Sequence, residues 1–255
     1  MALFDSHCHL DFPHFDADRE EVLARMASVG VEGALAVAVD LHDLSRLRAL
    51  SESVANIWFS VGVHPNHTCE REPTFDQLVS LANHPKCKAI GETGIDLYHH
   101  RVDLALQEAR FRIHIAAAKQ VDLPLIVHMR DADADTLRVM QDADVRPCGG
   151  VMHCFSSSWE VAKACIDLGM SISFSGNVTF KRNEELRNVA RQIPDKYLLV
   201  ETDSPYLAPE PYRGQRNEPS YVAQVAACVA DARGISIEAL MELTTNNAKQ
   251  RFRLI

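Results

Sequence analysis

Short apolar runs alternate with amphipathic segments along the whole chain. Eight of these runs have the length and composition of strands. We predict strands at 3–6, 34–39, 57–63, 88–92, 124–128, 150–154, 171–175 and 197–201. Most are continuously apolar rather than alternating, which is expected where a strand is buried on both faces of a parallel sheet.

The segments between these runs carry helix signals. The segment 158–169, for example, begins with a serine cap and ends at a glycine. We predict helices at 16–30, 102–121, 158–169, 184–192, 218–233, 237–243 and 246–251.

Eight strands with helical crossovers favour a closed barrel, because parallel strands need crossovers and closure removes unpaired edges. The sequence therefore predicts an α/β fold, a single (β/α)₈ TIM barrel that spans 1–255 as one domain. The alternative is a doubly wound open sheet.

The composition limits the other possibilities. The chain has 255 residues, 47% of them hydrophobic, and no apolar run approaches the roughly 18 residues that a membrane span needs. Its first residues lack a basic segment, so we expect no signal peptide. Its seven cysteines are odd in number and form no CxxC pair, which favours reduced thiols in the cytoplasm. Nothing indicates an obligatory protein partner.

Six residues with metal-binding side chains lie at the carboxyl ends of predicted strands. Barrel enzymes build their active sites at this end of the strands. These six candidate ligands come from five strands and are His7, His9, Glu92, His128, His153 and Asp203.

The His-x-His pair has its own geometry. Side chains alternate across a strand, so His7 and His9 point to the same side, into the barrel mouth, while Cys8 points away. Such a pair is weak evidence alone, but four more candidate ligands at other strand ends strengthen it.

Four imidazoles with two carboxylates are typical of paired-metal hydrolases. We predict that His7, His9, Glu92 and Asp203 surround one cation, and that Glu92 bridges to a second cation. His128 and His153 complete the second site. Two such cations would activate a shared water, with Asp203 as general base. Their identity stays open between Zn²⁺, Mg²⁺ and Mn²⁺.

The remaining histidines divide into two classes. His64 follows the third predicted strand on the same rim, which makes it a candidate substrate contact. The others are predicted to face solvent or to lie behind the ligands: His14, His42, His67, His84, His99, His100 and His114.

Several motifs occur in an order that resembles the TatD family of metal-dependent hydrolases, within the amidohydrolase-like superfamily. They are DSHCHLD at 5–11, VGVHP at 61–65, GETGID at 91–96, PLIVH at 124–128, HCFS at 153–156, SGNVTFK at 175–181, LVETDSPYLAP at 199–209 and RGQRNEP at 213–219. The resemblance covers nearly the whole chain. It implies a (β/α)₈ barrel, a divalent metal centre and hydrolysis of ester bonds, with DNase activity attributed to several members.

The resemblance also implies that the same six residues bind metal. Much of the wider superfamily bridges its metals with a modified lysine, whereas this chain has Glu92, as the TatD group does. One departure is Ser157, where the family often has glycine, which bears on substrate positioning beside His153.

The substrate remains open at this stage. The resemblance favours phosphodiester hydrolysis by a 3′-end nuclease on DNA, with Arg213 and Arg216 on flanking phosphates. Arg130, Lys181 and Arg182 could do likewise, or all five could be solvated surface charges. The net charge of −9 argues against tight nonspecific binding of nucleic acid. The sequence also gives little indication of exposed aromatic residues on which bases could stack.

Two alternatives to a nuclease accompany this prediction. The same centre could hydrolyse a small carboxylic ester, lactone or amide. The chain could also be a non-enzymatic metal-binding or scaffold protein, which is disfavoured because closed structural zinc sites lack a base such as Asp203.

Overall fold

A computed structural model describes residues 2–99 and 101–254. Within these residues, eight parallel strands follow one another around one sheet in chain order. The strands are β1 (Leu3–Cys8), β2 (Val31–Ala36), β3 (Ile57–Val61), β4 (Cys87–Asp96), β5 (Leu125–Arg130), β6 (Gly150–Met152), β7 (Met170–Phe174) and β8 (Leu198–Val200).

Helices connect the strands and cover the outside of the sheet. Those in the described residues are α1 (Arg19–Ser28), α2 (Leu44–Ser53), α3 (Phe75–Ala82), α4 (Leu104–Val121), α5 (Asp133–Asp142), α6 (Trp159–Asp167), α7 (Glu184–Gln192), α8 (Val222–Arg233) and α9 (Ile237–Arg251). None of them combines the length and the apolarity that a membrane crossing requires. The sequence analysis did not identify α2, α3 or α5.

The segment after α8 differs from its prediction. Two short helices were expected, because paired threonines interrupt the pattern, but α9 is continuous. The Thr244 hydroxyl donates to the Leu240 carbonyl at 3.0 Å, and both Thr244 and Thr245 are buried. The Thr245 hydroxyl donates to the Ala2 carbonyl at 3.0 Å, so both hydroxyls have acceptors and the helix stays intact.

The barrel closes where the segment after β8 meets β1. A parallel bridge joins Cys8 to Ser204, and the Asp203 N–H donates to the His7 carbonyl at 2.9 Å. Together with the sequential strand order, this closure confirms the predicted (β/α)₈ barrel and excludes the doubly wound sheet.

A buried side-chain contact reinforces the same junction. The Asp5 carboxylate accepts hydrogen bonds from the Thr202 N–H at 2.9 Å and the Thr202 hydroxyl at 2.6 Å. Burial raises the pKa of Asp5 to about 8, although the hydrogen bonds from Thr202 oppose that rise. Asp5 therefore holds the barrel closed from within.

The β4 strand is longer than predicted. It continues from Glu92 through Asp96 and pairs with β5, so that Gly94 lies opposite His128. The register shifts between Ile90 and Thr93, which places an irregularity at Glu92. Glu92 thus lies in the middle of its strand, and the expectation that it ends the strand is wrong.

Two apolar clusters hold the barrel together. The larger lies between the strands and the helices. The smaller draws on six strands and the end of α9, and side chains from strands all around a barrel can meet only inside it. Its members include Phe4, Leu35, Ala89, Ile126, Val151, Leu199 and Phe252. Phe252 closes the amino end of the barrel, so the polar residues lie at the carboxyl end.

Candidate metal centre

A cavity of about 760 Å³ opens at the carboxyl ends of the strands. Five of the six predicted ligands line it, and His7 lies fully buried beneath them. The structure therefore brings together all six residues: His7, His9, Glu92, His128, His153 and Asp203.

The first group of ligand atoms surrounds the two histidines of β1 and the residue that follows it. The His7 and His9 Nε2 atoms lie 3.3 Å apart. Asp203 Oδ1 lies 3.7 Å from the first of these nitrogens and 3.5 Å from the second. Glu92 Oε2 lies 3.5 Å from His7 Nε2 and 3.9 Å from His9 Nε2. Four side chains thus present one atom each to a common point.

The second group surrounds the other oxygen of the same glutamate. Glu92 Oε1 lies 2.9 Å from His128 Nδ1 and 2.8 Å from His153 Nε2. The two imidazole nitrogens are 3.1 Å apart. Glu92 therefore separates the two groups and presents one oxygen to each of them.

These spacings suit divalent cations. Ligand atoms bonded to a tetrahedral zinc ion at 2.0–2.1 Å lie about 3.4 Å apart. The distances in the first group, 3.3 to 3.9 Å, bracket that value. Imidazole and carboxylate atoms at this spacing fit the chemistry expected from the sequence.

The outward nitrogens of three imidazoles have acceptors. His9 Nδ1 lies 2.9 Å from the main-chain carbonyl after β2, and His128 Nε2 lies 3.2 Å from Asp96 Oδ2. His153 Nδ1 lies 3.3 Å from Glu201 Oε1. With a cation bound, each acceptor would hold the proton on the outward nitrogen and leave the lone pair of the inward nitrogen for the metal.

Asp96 and Glu201 were not identified by the sequence analysis as site residues. Both are fully buried, and Glu201 Oε1 also accepts the Cys154 N–H at 2.7 Å. Asp96 follows Glu92 in the motif GETGID, and Glu201 follows β8 in the motif LVETD. For Asp96 the available signal was an acidic residue near a strand end, beside the strand that carries His128. Glu201 follows β8, two strands away from β6 and His153, and had no such signal.

The two carboxylates of the site are ionised. Burial acts to raise the pKa of Glu92, but the charge of His153 and the hydrogen bonds from His128 and His153 hold it well below its usual range. Burial likewise opposes ionisation of Asp203, yet the hydrogen bond from His9 and the charges of neighbouring histidines lower its pKa. The centre therefore offers negative charge to a cation.

His64 lies at the cavity, as the sequence predicted, with Nε2 3.6 Å from Glu92 Oε1. Its Nδ1 accepts the Asn66 N–H at 3.1 Å, so the ring proton is on Nε2. Burial lowers the pKa of His64 to about 3. The side chain is a neutral hydrogen-bond donor that faces the cavity.

The predicted basic contacts lie elsewhere. The Arg213 guanidinium packs over the Phe180 ring at 3.7 Å, and Arg216 pairs with Asp18 at 2.7 Å. Neither lines the cavity, nor do the exposed Lys181 and Arg182. The substrate contacts of Arg213 and Arg216 stay a prediction.

One of the predicted basic residues is an exception: Arg130, at the end of β5, lines the cavity, as does Arg101, after β4, which was not predicted. The Arg130 guanidinium lies over the Tyr98 ring at 4.0 Å. Both side chains are exposed and stand near the second ligand group. They give one wall of the cavity a positive charge.

The opposite wall is aromatic. Phe12 stacks on His9 with ring centroids 4.6 Å apart, and the half-exposed Tyr206 meets Phe12 edge to face at 6.4 Å. The low aromatic content had given no indication of this pair.

The histidines outside the centre follow the expectation in part. His14, His42 and His99 are exposed, whereas His100 lies outside the described residues. His114 is fully buried on α4, where its Nε2 accepts the Val63 N–H at 3.0 Å.

The serine that departs from the family pattern has a local partner. The Ser157 hydroxyl donates to Asp133 at the start of α5. Ser156, and not Ser157, lines the cavity.

Comparisons with known proteins agree with this geometry. Residues 4–253 match the family model described as TatD related DNase. The uncharacterized metal-dependent hydrolase YcfH of Escherichia coli is 43% identical, with 100% of this chain and 97% of that protein covered. The 3′-5′ ssDNA/RNA exonuclease TatD of Citrobacter koseri is 34% identical, with 98% of each chain covered.

A solved structure shares the whole architecture. The crystal structure of YjjV, a TatD homolog from Escherichia coli, superposes with a TM-score of 0.90 at 29% identity and covers 98% of each chain.

Proposed function

The chain belongs to the TatD family of metal-dependent hydrolases acting on ester bonds, and we propose that it is a two-metal deoxyribonuclease that removes nucleotides from 3′ ends of DNA. One observation carries the proposal: two groups of ligand atoms share Glu92 at the floor of an open cavity. A shared carboxylate between two cation sites is the arrangement that two-metal hydrolysis needs.

The proposal assigns a ligand set to each cation. His7, His9, Glu92 and Asp203 hold the first cation, and Glu92, His128 and His153 hold the second. The spacing of 3.3 to 3.9 Å in the first group, close to that expected around zinc, supports the first set. The acceptors of the outward nitrogens support both sets. Zn²⁺, Mg²⁺ and Mn²⁺ all remain candidates.

The cations, when bound, would neutralise the scissile phosphate and lower the pKa of an attacking water. Asp203 is the more exposed of the two carboxylates, with 14% of its side chain accessible against 3% for Glu92. Its carboxylate would accept the proton of the attacking water as general base. Glu92 would hold the two ligand groups at a fixed separation.

Residues around the cavity would position the substrate. His64 Nε2–H would donate to a phosphate oxygen, and Arg101 and Arg130 would bind flanking phosphates. Charged contacts of this kind bind nucleic acid locally even where the whole chain is acidic. Arg213 and Arg216 would reach the substrate only by leaving Phe180 and Asp18.

The choice of DNA is supported by the family description and by the activity named for the Citrobacter relative. The aromatic pair Phe12 and Tyr206 adds support, because exposed rings stack on unpaired bases.

The test is cleavage of single-stranded DNA labelled at its 5′ end, with Mg²⁺, Mn²⁺ or Zn²⁺ added to chelator-treated protein. We expect a ladder that shortens from the 3′ end, and no ladder with Asp203→Asn. Turnover of a carboxylic ester, lactone or amide without DNA cleavage under any metal would reject the nuclease in favour of that alternative.

We also propose that the protein works in the cytoplasm. All seven cysteines are free thiols in the structure, and a reducing compartment preserves such thiols. Fractionation of cells that express a tagged chain tests this, and recovery in an oxidising compartment would contradict it.

A further inference from the structure

The carboxylate of Asp96 is buried and fully used as an acceptor. Its Oδ1 accepts the N–H groups of Tyr98 at 2.9 Å and His99 at 3.1 Å. Its Oδ2 lies 2.8 Å from His99 Nδ1 and 3.2 Å from His128 Nε2. The residue is fully buried, and it joins one candidate ligand to the loop that follows β4.

We propose that Asp96 is a positioning residue that selects the ring tautomer of His128. By accepting a proton from Nε2, it leaves the lone pair on Nδ1, the atom that faces Glu92 and His153. This inference rests on the proposed function, in which His128 Nδ1 binds a cation. A carboxylate behind a ligating histidine commonly raises metal affinity in this way.

A different role for Asp96 would be to bind a cation itself. His64, Asp96 and His128 offer ligand atoms within 4.8 Å of one another. However, an ionised carboxylate has about four acceptor positions, and four donors already occupy those of Asp96. The geometry therefore favours a fixed acceptor over a cation ligand.

The same four contacts make Asp96→Asn an informative change. Two main-chain N–H groups converge on Oδ1, so the oxygen of an asparagine must stay there. Its amide nitrogen must then face the imidazoles of His99 and His128. Since the amide donates, His128 Nε2 has to accept, and the ring proton moves to Nδ1. That proton blocks the nitrogen that would bind the cation.

Asp96→Ala has the opposite consequence for the ring. It removes the acceptor without adding a donor, and His128 lines the cavity, so water can accept the Nε2 proton. The alanine variant loses more local contacts, yet it keeps the correct tautomer accessible. A purely structural role predicts that alanine is the more damaging change, whereas tautomer selection predicts that asparagine is.

The experiment measures Mn²⁺ binding to chelator-treated protein by calorimetry, for the wild type, Asp96→Asn, Asp96→Ala and His99→Gln. We expect Asp96→Asn to weaken the binding by about 10- to 100-fold. Asp96→Ala should weaken it less. His99→Gln, which leaves the contact between Asp96 and His128 in place, should stay within a few-fold of the wild type.

A second measurement reads the tautomer directly. ¹⁵N NMR of the protein in saturating Zn²⁺, a diamagnetic cation, should show the proton of His128 on Nε2 in the wild type and on Nδ1 in Asp96→Asn. This comparison decides the question even if the alanine variant does not fold.

The outcomes separate the two proposals. A wild type that binds no cation would overturn the proposed function together with this inference. A wild type that binds cations, with Asp96→Asn binding as tightly as Asp96→Ala or keeping the proton on Nε2, would overturn this inference alone. Loss of a whole cation equivalent from both variants would overturn it too, and would make Asp96 a ligand.

Discussion

Two regions of the barrel supply the candidate ligands by different structural means. At the seam, defined here as residues 5–9 and 200–204, the three-residue strand β8 is too short to hold the site by pairing alone. Buried side chains such as Asp5 and Thr202 complete the junction. At the strand pair, β4 and β5, main-chain pairing resumes at Thr93 after the irregularity and extends to Asp96 and Arg130.

The difference shows which atoms fix each ligand. His7, His9 and Asp203 are held by a few main-chain hydrogen bonds across the seam, which the buried contact of Thr202 with the Asp5 side chain reinforces. Glu92 and His128 depend on the close approach of two backbones, which Gly94 permits. Substitutions that remove a side-chain hydrogen bond should therefore damage the seam, and substitutions that add atoms should damage the strand pair.

The largest expected effect follows from removing one ligand on each side. His9→Ala and His128→Ala should each lower the bound metal from two to one cation per chain. Loss of one cation removes several kcal/mol of charge stabilisation, about a 10³-fold fall in hydrolysis rate. Elemental analysis and a rate assay check this, with the exposed His42→Ala as control. If only one of the two variants lost metal, one region would build the whole centre.

A smaller effect is expected from crowding the strand pair. Gly94 has a φ of +135°, and a Cβ there would lie 2.0 Å from the His128 carbonyl oxygen. Gly94→Ala should therefore lower the free energy of unfolding by about 3 kcal/mol or more.

The matched control is Gly234→Ala at the end of α8. Gly234 also has a positive φ, of +67°, but no atom lies within 4 Å of its Cβ position among those described. We expect about 1 kcal/mol from the backbone alone. Equal losses in urea unfolding for the two variants would refute the importance of close approach at the strand pair.

At the seam, Thr202→Val removes the hydroxyl that donates to Asp5 at 2.6 Å. A buried carboxylate that loses a donor costs about 2 kcal/mol. The control is Thr136→Val, because the buried Thr136 hydroxyl has no hydrogen-bond partner among the described residues. Urea unfolding should show a clear loss for the first variant and almost none for the second. A larger loss for Thr136→Val than for Thr202→Val would contradict the importance of the contact between Asp5 and Thr202 at the seam.

The smallest effect concerns α4, which packs against β4. Burial lowers the pKa of His114 from 6.5 to about 4, so the unfolded chain binds more protons than the folded one between these values. Stability therefore falls as the pH drops through this window. Between pH 7 and pH 5 the wild type should lose about 2 kcal/mol more than His114→Gln.

Urea unfolding at the two pH values measures this difference. The glutamine can still accept the Val63 N–H, so the control keeps the contact and loses only the titration. An identical pH dependence in both proteins would mean that the pKa of His114 is the same in the folded and the unfolded chain, which would contradict the effect of burial.

The sequence could place the six candidate ligands together because the carboxyl ends of the strands in a closed barrel surround one opening. A polar residue that follows a short buried run lies at the rim, and all rim positions of a closed barrel face one another. His128 and His153 could be identified in this way without knowledge of any contact. The structure brings them within 3.1 Å of each other.

The residues behind the ligands could not be predicted by the same rule. Asp96 was missed because β4 was expected to stop at Glu92, where glycines and polar residues interrupt the apolar run. The pairing of Gly94 with His128 carries the strand further, and only this pairing puts Asp96 behind the imidazole. The register between neighbouring strands decides which acid lies behind which histidine. The residue pattern of a single strand does not specify that register.

The position of Glu92 between the two ligand groups has a consequence for loading. One oxygen faces His7 and His9 and the other faces His128 and His153, so whatever immobilises the glutamate on one side also orients it on the other. We expect the first cation to order Glu92, so that the second cation binds with a smaller entropic cost. A metal titration should then show mostly empty and fully loaded protein, with little protein that holds one cation. The occupancy of the centre would rise steeply over a narrow range of metal concentration.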